Sequence, residues 1–455
     1  MKPIHSTVPQ ITWKKGALLG LAGITCFHLA CSIDSPPARL LSLAYVAFLV
    51  QLARLGSRRL AFYMGFGTGL MCVAPQLFWF FNIFGAAAVP LWMVLSLWTA
   101  LFVLLAHRVL RRFGPVAALV LIPFLWTGLE YFRSELYHLK FSWLNAGYPA
   151  ATVPQLPVHW IGMYGIGFAG AVIGAVLLCM KRKPALGATG LTTAAAFIAN
   201  LFASDSIDDR SVRIGGVQLE FPNELQLMQN LNRLAYESPE TDLVVLSEYT
   251  LDGDVPESLK NWCRTHQKHL IVGGKNPLGN GTFLNTAFVI DPNGEVVFKQ
   301  AKSVPIQFFA DGLPAPEQKV WNSPWGKIGI CICYDLSYTR VTDELVKQGA
   351  QMLIVPTMDV ASWGKHQHEL HAMVAPARAK ECGIPIFRLA SSGISQAVDA
   401  RGNVVASAGF PGEGEILTAK LRMVIRCASA GSNPRAGSSL DQRHDNHRPH
   451  GFIDS

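Results

Sequence analysis

The chain has 455 residues, 50% of them hydrophobic and only 15% charged, with a formal net charge of +8 and a mean hydropathy of +0.27. That composition is too apolar for an ordinary soluble enzyme. The positive charge gives little reason to expect nucleic acid as a partner, because many of the basic residues are accounted for by loops between apolar segments and by the tail.

The apolar excess lies in the first 204 residues, where candidate spans run over about 16–33, 40–53, 60–84, 86–106, 115–131, 158–180 and 185–203. Most approach the roughly 20 residues a helix needs to cross hydrocarbon. Residues 1–203 are therefore predicted to form a transmembrane helical bundle of about seven spans. Leu29-Ala30-Cys31 has the look of a lipoprotein cleavage site, yet six further spans follow, so the first is read as a retained helix. Lys2, Lys14, Lys15, Arg54, Arg58, Arg59, Arg108, Arg111, Arg112, Lys181, Arg182 and Lys183 fall on alternate loops, while the opposite short loops carry only Arg39, Arg133 and Lys140. The excess of positive charge marks the cytoplasmic side and predicts that the chain after Ala203 emerges outside the cytoplasm. Glu130 and Arg133, one helical turn apart at the edge of the fifth span, are expected to form a structural ion pair rather than a substrate contact.

A polar linker over 204–210 introduces a second pattern, in which apolar residues come in runs of strand length. Strands are expected over 212–219, 243–246, 269–273, 285–290, 296–299, 328–333, 352–356, 384–389, 396–405 and 415–421. Helices are expected over 223–235, 256–267, 341–349 and 366–381. Asp291-Pro292-Asn293-Gly294 suits a tight reversal between two of the strands. Strands alternating with helices over 211–426 argue for a layered α/β domain with sheets covered by helices. From 427 to 455 the composition turns polar and a disordered tail is expected.

Three positions at strand ends carry chemistry. Glu248 ends Leu243-Val244-Val245-Leu246-Ser247, Lys302 follows the strand ending at Lys299, and Cys333 ends Ile328-Gly329-Ile330-Cys331-Ile332. A free thiol is mostly protonated at neutral pH, so a nucleophilic cysteine needs a base and a cation beside it. Glu248 can take the proton, and a lysine together with backbone N–H groups can stabilise an oxyanion. Singly, each residue has an ordinary alternative: a buried small hydrophobe, a helix cap, a solvated surface charge. His366, His368 and His371 suggest a metal cluster, but their spacing is not His-Glu-x-x-His, so a helix face near the site is expected and no metal. The nine cysteines form no metal spacing and no disulfide framework.

Leu246-Ser247-Glu248, Lys302-Ser303-Val304-Pro305, Gly329 through Asp335, Asp359 with Trp363, His366-Gln367-His368 and Arg378-Ala379-Lys380-Glu381 occur in this order. In the membrane half they are preceded by Trp126 through Arg133 and Phe141 through Tyr148. On these residues the chain resembles the apolipoprotein N-acyltransferases, membrane members of the nitrilase or carbon–nitrogen hydrolase superfamily. The resemblance implies a membrane α-helical bundle followed by a nitrilase-type α-β-β-α sandwich, a Glu248-Lys302-Cys333 triad, and no cofactor. It further implies a multi-pass inner-membrane protein with its catalytic domain on the periplasmic side. Cys333 would take an acyl chain from a phospholipid donor as a thioester and pass it to the N-terminal amine of a diacylglyceryl-cysteine lipoprotein acceptor. Tyr334, Asp335, Gln307, Asp311 and Trp363 are the expected binding or supporting residues.

The chain departs from the family pattern at several places. The usual lysine position is Gln300, flanked by Lys299 and Lys302, of which Lys302 is preferred. Ile306-Gln307-Phe308 replaces a stretch that ends in a supporting glutamate, with Asp311 as the substitute; Asp335 replaces a glutamate, and Ser142 a proline. A polar C-terminus stands where the family commonly has another span. Two other readings stay open: a membrane-tethered amidase acting on a small amide, and a non-catalytic scaffold retaining the fold.

Overall fold

The computed structural model describes residues 8–179, 207–279 and 281–424; the seventh expected span and the polar tail lie outside them. In the N-terminal half the main helices are α1 Trp13–Ser32, α2 Leu41–Gln51, α3 Arg58–Gln76, α4 Ala88–Tyr131 and α5 Val158–Cys179. Thr12 and Ser57 cap α1 and α3 by accepting from the N–H groups of Lys15 and Leu60. Among the described residues four helical stretches are long and apolar enough to cross a membrane: Trp13–Ser32, Pro36–Arg54, Phe80–Leu136 and Val158–Leu178. The third covers the segments 86–106 and 115–131 in one stretch that breaks at Gly114, where φ is 80° and ψ is −179° directly before Pro115. Only glycine adopts that conformation without strain.

Small residues set how closely these helices pack. A Cβ on Gly65 would lie 2.9 Å from the Cα of Ala100, and one on Gly174 would lie 2.9 Å from the Cα of Ala47. Stripes of this kind let α3 approach α4 and α5 approach α2, which is how apolar helices gain dispersion contact where no hydrophobic effect drives them together. Arg133 donates to Asn145 and the Glu130 carboxylate accepts from the Ala146 N–H at 3.0 Å, so each holds the 141–148 loop. No direct hydrogen bond joins the two among the described residues. The expected Glu130–Arg133 ion pair is thus replaced by two separate loop anchors.

In the C-terminal half the elements are β1 Ile207–Val217, α6 Glu224–Glu237, β2 Leu243–Val245, α7 Glu257–His266, β3 His269–Gly279, β4 Thr282–Ile290 and β5 Val296–Ala301. They continue as β6 Val320–Ser323, β7 Gly326–Ile330, α8 Thr339–Lys347, β8 Met352–Thr357, α9 Lys365–Ala372, α10 Val374–Cys382, β9 Ile386–Ala390, β10 Ser395–Val398, β11 Val404–Ala408 and β12 Ile416–Val424. Two six-stranded sheets result, ordered β12-β1-β2-β3-β4-β5 and β11-β10-β9-β8-β7-β6. Each has a parallel core, β1-β2-β3 in one and β7-β8-β9 in the other, with antiparallel strands outside it. The sheets pack face to face so closely that a Cβ on Gly216 would lie 2.6 Å from Leu389 Cδ1. Leu227, Leu231 and Leu234 of α6 and Leu259 and Trp262 of α7 cover the outer face of the first sheet. Helices α8 and α10 cover the second through Val341, Leu345 and Val374. This is the α-β-β-α sandwich.

Four local expectations need correction. Strand β1 starts at Ile207, inside the stretch read as linker. Strand β6 was not anticipated; it pairs with β7 across the Ser323–Gly326 turn. The single helix expected over 366–381 is two, because Pro376 lacks an N–H and its ring would clash with the Ala372 carbonyl, so α9 ends at Ala372. The strand expected over 396–405 is a hairpin, closed by Asp399, which accepts from the N–H groups of Arg401 and Asn403 at 2.9 and 2.8 Å.

Candidate active site at the junction of the two halves

The three triad candidates emerge from strand ends of both sheets and are buried together. Glu248 follows β2, Lys302 follows β5 and Cys333 follows β7; they are 2%, 0% and 2% exposed. The backbone at Glu248 presses on β3 so tightly that a Cβ on Gly273 would lie 2.6 Å from its Cα. Cys333 opens a 3-10 turn with φ of +50°, a left-handed conformation that costs a non-glycine residue of order 1 kcal/mol and aims its side chain out of the strand line. Asp335 holds that turn. Its carboxylate accepts from the N–H groups of Ile332 at 3.1 Å, Ser303 at 3.0 Å and Val304 at 2.7 Å, tying the cysteine turn to the segment after Lys302.

Lys302 sits between two carboxylates, with Nζ 2.8 Å from Glu248 Oε1 and 2.7 Å from Asp311 Oδ2. Asn285 Nδ2 donates to the same pair, at 2.6 Å to Glu248 and 2.8 Å to Asp311, and Tyr249 OH donates to Asp311 at 2.6 Å. Met358 links this network to the sulfur: its N–H donates to Glu248 Oε2 at 2.9 Å, while its carbonyl lies 3.6 Å from Cys333 Sγ. Lys299, the reserve lysine, is exposed on the far face of β5 with its Nζ 5.1 Å from the Phe288 ring centroid. A strand alternates faces, so Gln300 and Lys302 turn inward together.

Burial pushes the Cys333 thiol well above its ordinary range; Glu248 adds to that and Lys302 opposes it. Burial alone would lower the Lys302 ammonium, but Asp311 and Glu248 outweigh it and leave Lys302 firmly protonated. Glu248 is raised by burial against the pull of Lys302. The resting site therefore holds a neutral thiol next to a carboxylate of raised proton affinity. A thiol in that state becomes a nucleophile only as its proton leaves.

Cys333 lines an apolar cleft of about 820 Å³, part of it open to solvent. One wall comes from the helical half through Trp79, Phe80, Phe84, Leu91 and Leu95, and from Phe141 and Trp143 of the following loop. The other is the 306–309 segment with Tyr334 and Trp363. Phe84 faces Phe308 and Phe309 edge-on at 5.9 and 6.0 Å across the mouth. Polar contacts lock the halves together around the cleft: Tyr334 OH to the Lys140 carbonyl at 2.9 Å, Trp143 Nε1 to Ser337 Oγ at 2.8 Å, and Thr339 N–H to Glu135 at 2.9 Å. Ser142, at the family's proline position, donates to the Ser337 carbonyl at 3.2 Å.

All of the anticipated site residues are in this region. Gln307 and Trp363 line the cleft, Tyr334 joins the halves, Asp311 pairs with Lys302, and Asp335 holds the Cys333 turn. Asn285 and Met358 were missed. An amide inside the mostly apolar strand β4 is a usable signal for Asn285, whereas Met358 acts through its backbone and leaves no trace in residue type. The three histidines do not share one face of α9: His366 contacts Gln76 at 2.8 Å on one side, while His368, against Phe410 with ring centroids 4.4 Å apart, and His371, in contact with Asp359 at 2.7 Å, are buried on the other.

Comparison with known proteins places both halves. Residues 16–176 match the model of the apolipoprotein N-acyltransferase N-terminal domain, and residues 211–426 match that of the carbon–nitrogen hydrolases. The chain belongs to the apolipoprotein N-acyltransferase family. It is 26% identical to an apolipoprotein N-acyltransferase of Geobacter metallireducens over 88% of each chain. With that of Shewanella oneidensis it shares 25% identity over 76% of this chain and 78% of the relative. An omega-amidase of Xenopus laevis is 27% identical over 35% of this chain and 64% of its own length. Among the solved structures, a carbon–nitrogen hydrolase from Helicobacter pylori matches 47% of this chain and 89% of its own, with 20% identity and a TM-score of 0.41. Membership of the N-acyltransferase family and the four apolar stretches make this a membrane-bound protein.

Proposed function

We propose that the protein transfers an acyl chain from a membrane phospholipid, through a thioester on Cys333, to the N-terminal amine of a diacylglyceryl-cysteine lipoprotein. The carrying observation is that Cys333 lines an apolar cleft to which the helical half also contributes Trp79, Phe80, Phe84, Leu91 and Leu95. A small-amide hydrolase gains nothing from such a wall, whereas a fatty acyl chain needs one. The chain is read as a multi-pass protein of the inner membrane with the sandwich on the periplasmic side, in keeping with the arginine-rich loops on the opposite side.

In the first half-reaction Sγ attacks the ester carbonyl as Glu248 removes its proton. The carbonyl electron pair moves to oxygen, where Lys302 and the N–H following Cys333 stabilise it. Collapse breaks the ester C–O bond, Glu248 returns the proton to the departing glycerol oxygen, and a lysophospholipid leaves. In the second half-reaction the amine attacks the thioester, the C–S bond breaks, and the thiol is restored. The apolar walls exclude water and so favour amine over hydrolysis.

Incubating detergent-solubilised protein with acyl-labelled phospholipid and measuring the mass of the Cys333 peptide tests the reading. One acyl group per chain is expected on wild type and none on Cys333→Ser. A labelled small amide turned over with no lipid-derived thioester would replace this reading with an amidase, and unchanged function in Cys333→Ala would make the chain a scaffold.

A further inference from the structure

A second cleft lies at the other end of the helical half. The two arms of α4 on either side of Gly114 run antiparallel and pack side by side, with ring centroids 4.9 Å apart for Phe102 and Trp126 and 5.7 Å apart for Trp98 and Phe132. Both outer ends of this hairpin meet the sandwich, through Phe84 just before it and Glu135 just after it. Its tip, about 17 residues or roughly 25 Å of helix away, therefore reaches the opposite face of the membrane. There a cleft of about 1530 Å³, part of it open, is lined by Arg58 at the start of α3 and by Arg108, Arg111 and Arg112 of α4. Leu105, Leu121, Phe124 and Leu125 supply its apolar part, and Leu121 and Phe124 are 42% and 65% exposed.

An excess of arginine on one side of a membrane is general and requires no ligand. This cleft adds convergence, a fixed geometry and an unmet charge. Arg108, Arg111 and Arg112 are one helical turn apart on α4, so their side chains leave the same face, and Arg58 meets them from α3. Arg111 is anchored by donating to the Arg54 and Leu55 carbonyls at 3.2 and 3.4 Å, while Arg58, Arg108 and Arg112 are exposed. From Met1 to Leu129 the sequence holds one acidic residue, Asp34, and its carboxylate pairs with Arg39 at 2.6 Å beyond the other end of α1. No carboxylate of the helical half is therefore at hand to neutralise these guanidinium groups. A free phosphate would engage the arginines and leave the apolar wall uncovered, whereas a lipid covers both.

We propose that this cleft binds an anionic phospholipid of the leaflet facing away from the sandwich. The phosphodiester accepts from the guanidinium groups of Arg58, Arg108 and Arg112, and an acyl chain covers Leu121, Phe124 and Leu125. Guanidinium forks match phosphate oxygens in pairs, and a basic pocket between membrane helices holds a headgroup at the depth where headgroups lie. The assignment is independent of the acyl-transfer reading, since it requires only a membrane-bound chain.

Native mass spectrometry of the full-length protein in an uncharged detergent, titrated with phosphatidylglycerol, measures occupancy. Lipid taken up by the Cys333 cleft is common to every variant, so the arginine-dependent fraction is read as a difference. Arg108→Gln combined with Arg112→Gln is expected to weaken that fraction about 25-fold, about fivefold per arginine. Lys14→Gln combined with Lys15→Gln removes the same charge from the exposed start of α1, which adjoins Arg54 through the Ile11 N–H at 3.2 Å, and should leave binding within about twofold. Phosphatidylcholine and inorganic phosphate should each bind roughly 10-fold or more weaker than phosphatidylglycerol. If the arginine variant shows no folded melting transition, Leu121→Trp, which fills the apolar crease and keeps every charge, is expected to give the same loss. An equal loss in the lysine variant marks a diffuse basic face, equal binding of phosphatidylcholine an apolar groove alone, and equal binding of inorganic phosphate an anion site without a lipid. Each overturns the proposal, as does undiminished phosphatidylglycerol binding in the folded arginine variant or in Leu121→Trp.

Discussion

Replacing Lys302 with Met keeps the side-chain length and removes one charge from the centre of the site. In the native protein the ammonium lies 2.8 Å from Glu248 and 2.7 Å from Asp311, with all three groups buried. At an effective dielectric of about 20, each contact has a gross Coulomb energy of about 6 kcal/mol, most of it offset by desolvation. Without the ammonium two carboxylates remain on either side of the Asn285 amide, which already donates to both. Removing one partner from a buried ion cluster costs about 3–5 kcal/mol. For a domain of about 200 residues that corresponds to a melting point lower by roughly 10 °C at neutral pH.

The loss has a pH signature. Stranded carboxylates hold a proton more tightly in the folded variant than in its unfolded chain, so the folded state binds the extra proton and stability rises as pH falls from 7 towards 5. Intrinsic-fluorescence melting of the detergent-solubilised variant and wild type at both pH values measures this. A drop of less than about 2 °C at neutral pH, or a loss that does not shrink on acidification, would refute the idea that Lys302 neutralises this cluster.

Lys299→Met, on the exposed face of the same strand, is expected to keep acyl transfer within about twofold of wild type, because surface charge contacts are worth about 0–1 kcal/mol. Asp335 is pushed up to about 6 by burial, opposed by Lys302 and three backbone N–H groups, so the folded chain binds its proton more readily than the unfolded chain does. Its contribution therefore grows as pH falls from about 6 towards 4, and the melting-point advantage of wild type over Asp335→Asn should widen between pH 7 and pH 5. Phe308→Ala removes an edge-on ring pair with Phe84 worth about 0.5–1.5 kcal/mol; KM for phospholipid should rise about 2- to 10-fold while alkylation of Cys333 by a small water-soluble reagent does not slow. Glu381→Gln takes the charge partner from buried Arg378, whose guanidinium holds the Leu336 and Ser337 carbonyls at 3.1 and 2.8 Å just past Cys333. It also weakens the 2.7 Å bond from the Met163 N–H of the helical half. A melting point lower by several degrees and a parallel loss of thioester formation are expected.

The amino-acid sequence alone was enough to separate an apolar helical half from an alternating strand and helix half, because hydrophobic periodicity and turn residues act over a few neighbours. For the same reason Glu248 and Cys333 stood out at the ends of Leu243 through Ser247 and Ile328 through Ile332: a polar or reactive residue ending an apolar run is a local signal. Pro376 was equally local and still overlooked as a helix break. Tertiary structure decided the rest. Lys302 rather than Lys299 reaches Glu248 because the antiparallel pairing of β4 and β5 turns that face of β5 inward. Asp311 takes up a carboxylate role at a shifted position because the segment after Pro305 folds back until its carboxylate meets both the Ile306 N–H and Lys302. Asn285 joins the segments that follow β2 and β5 within one sheet, and the two backbone contacts of Met358 and the cleft shared with Phe84 and Trp143 join segments from opposite sheets or opposite halves of the chain. Such contacts arise from strand order and helix docking over tens to hundreds of residues of separation, and the spacing of residues along the chain does not encode them.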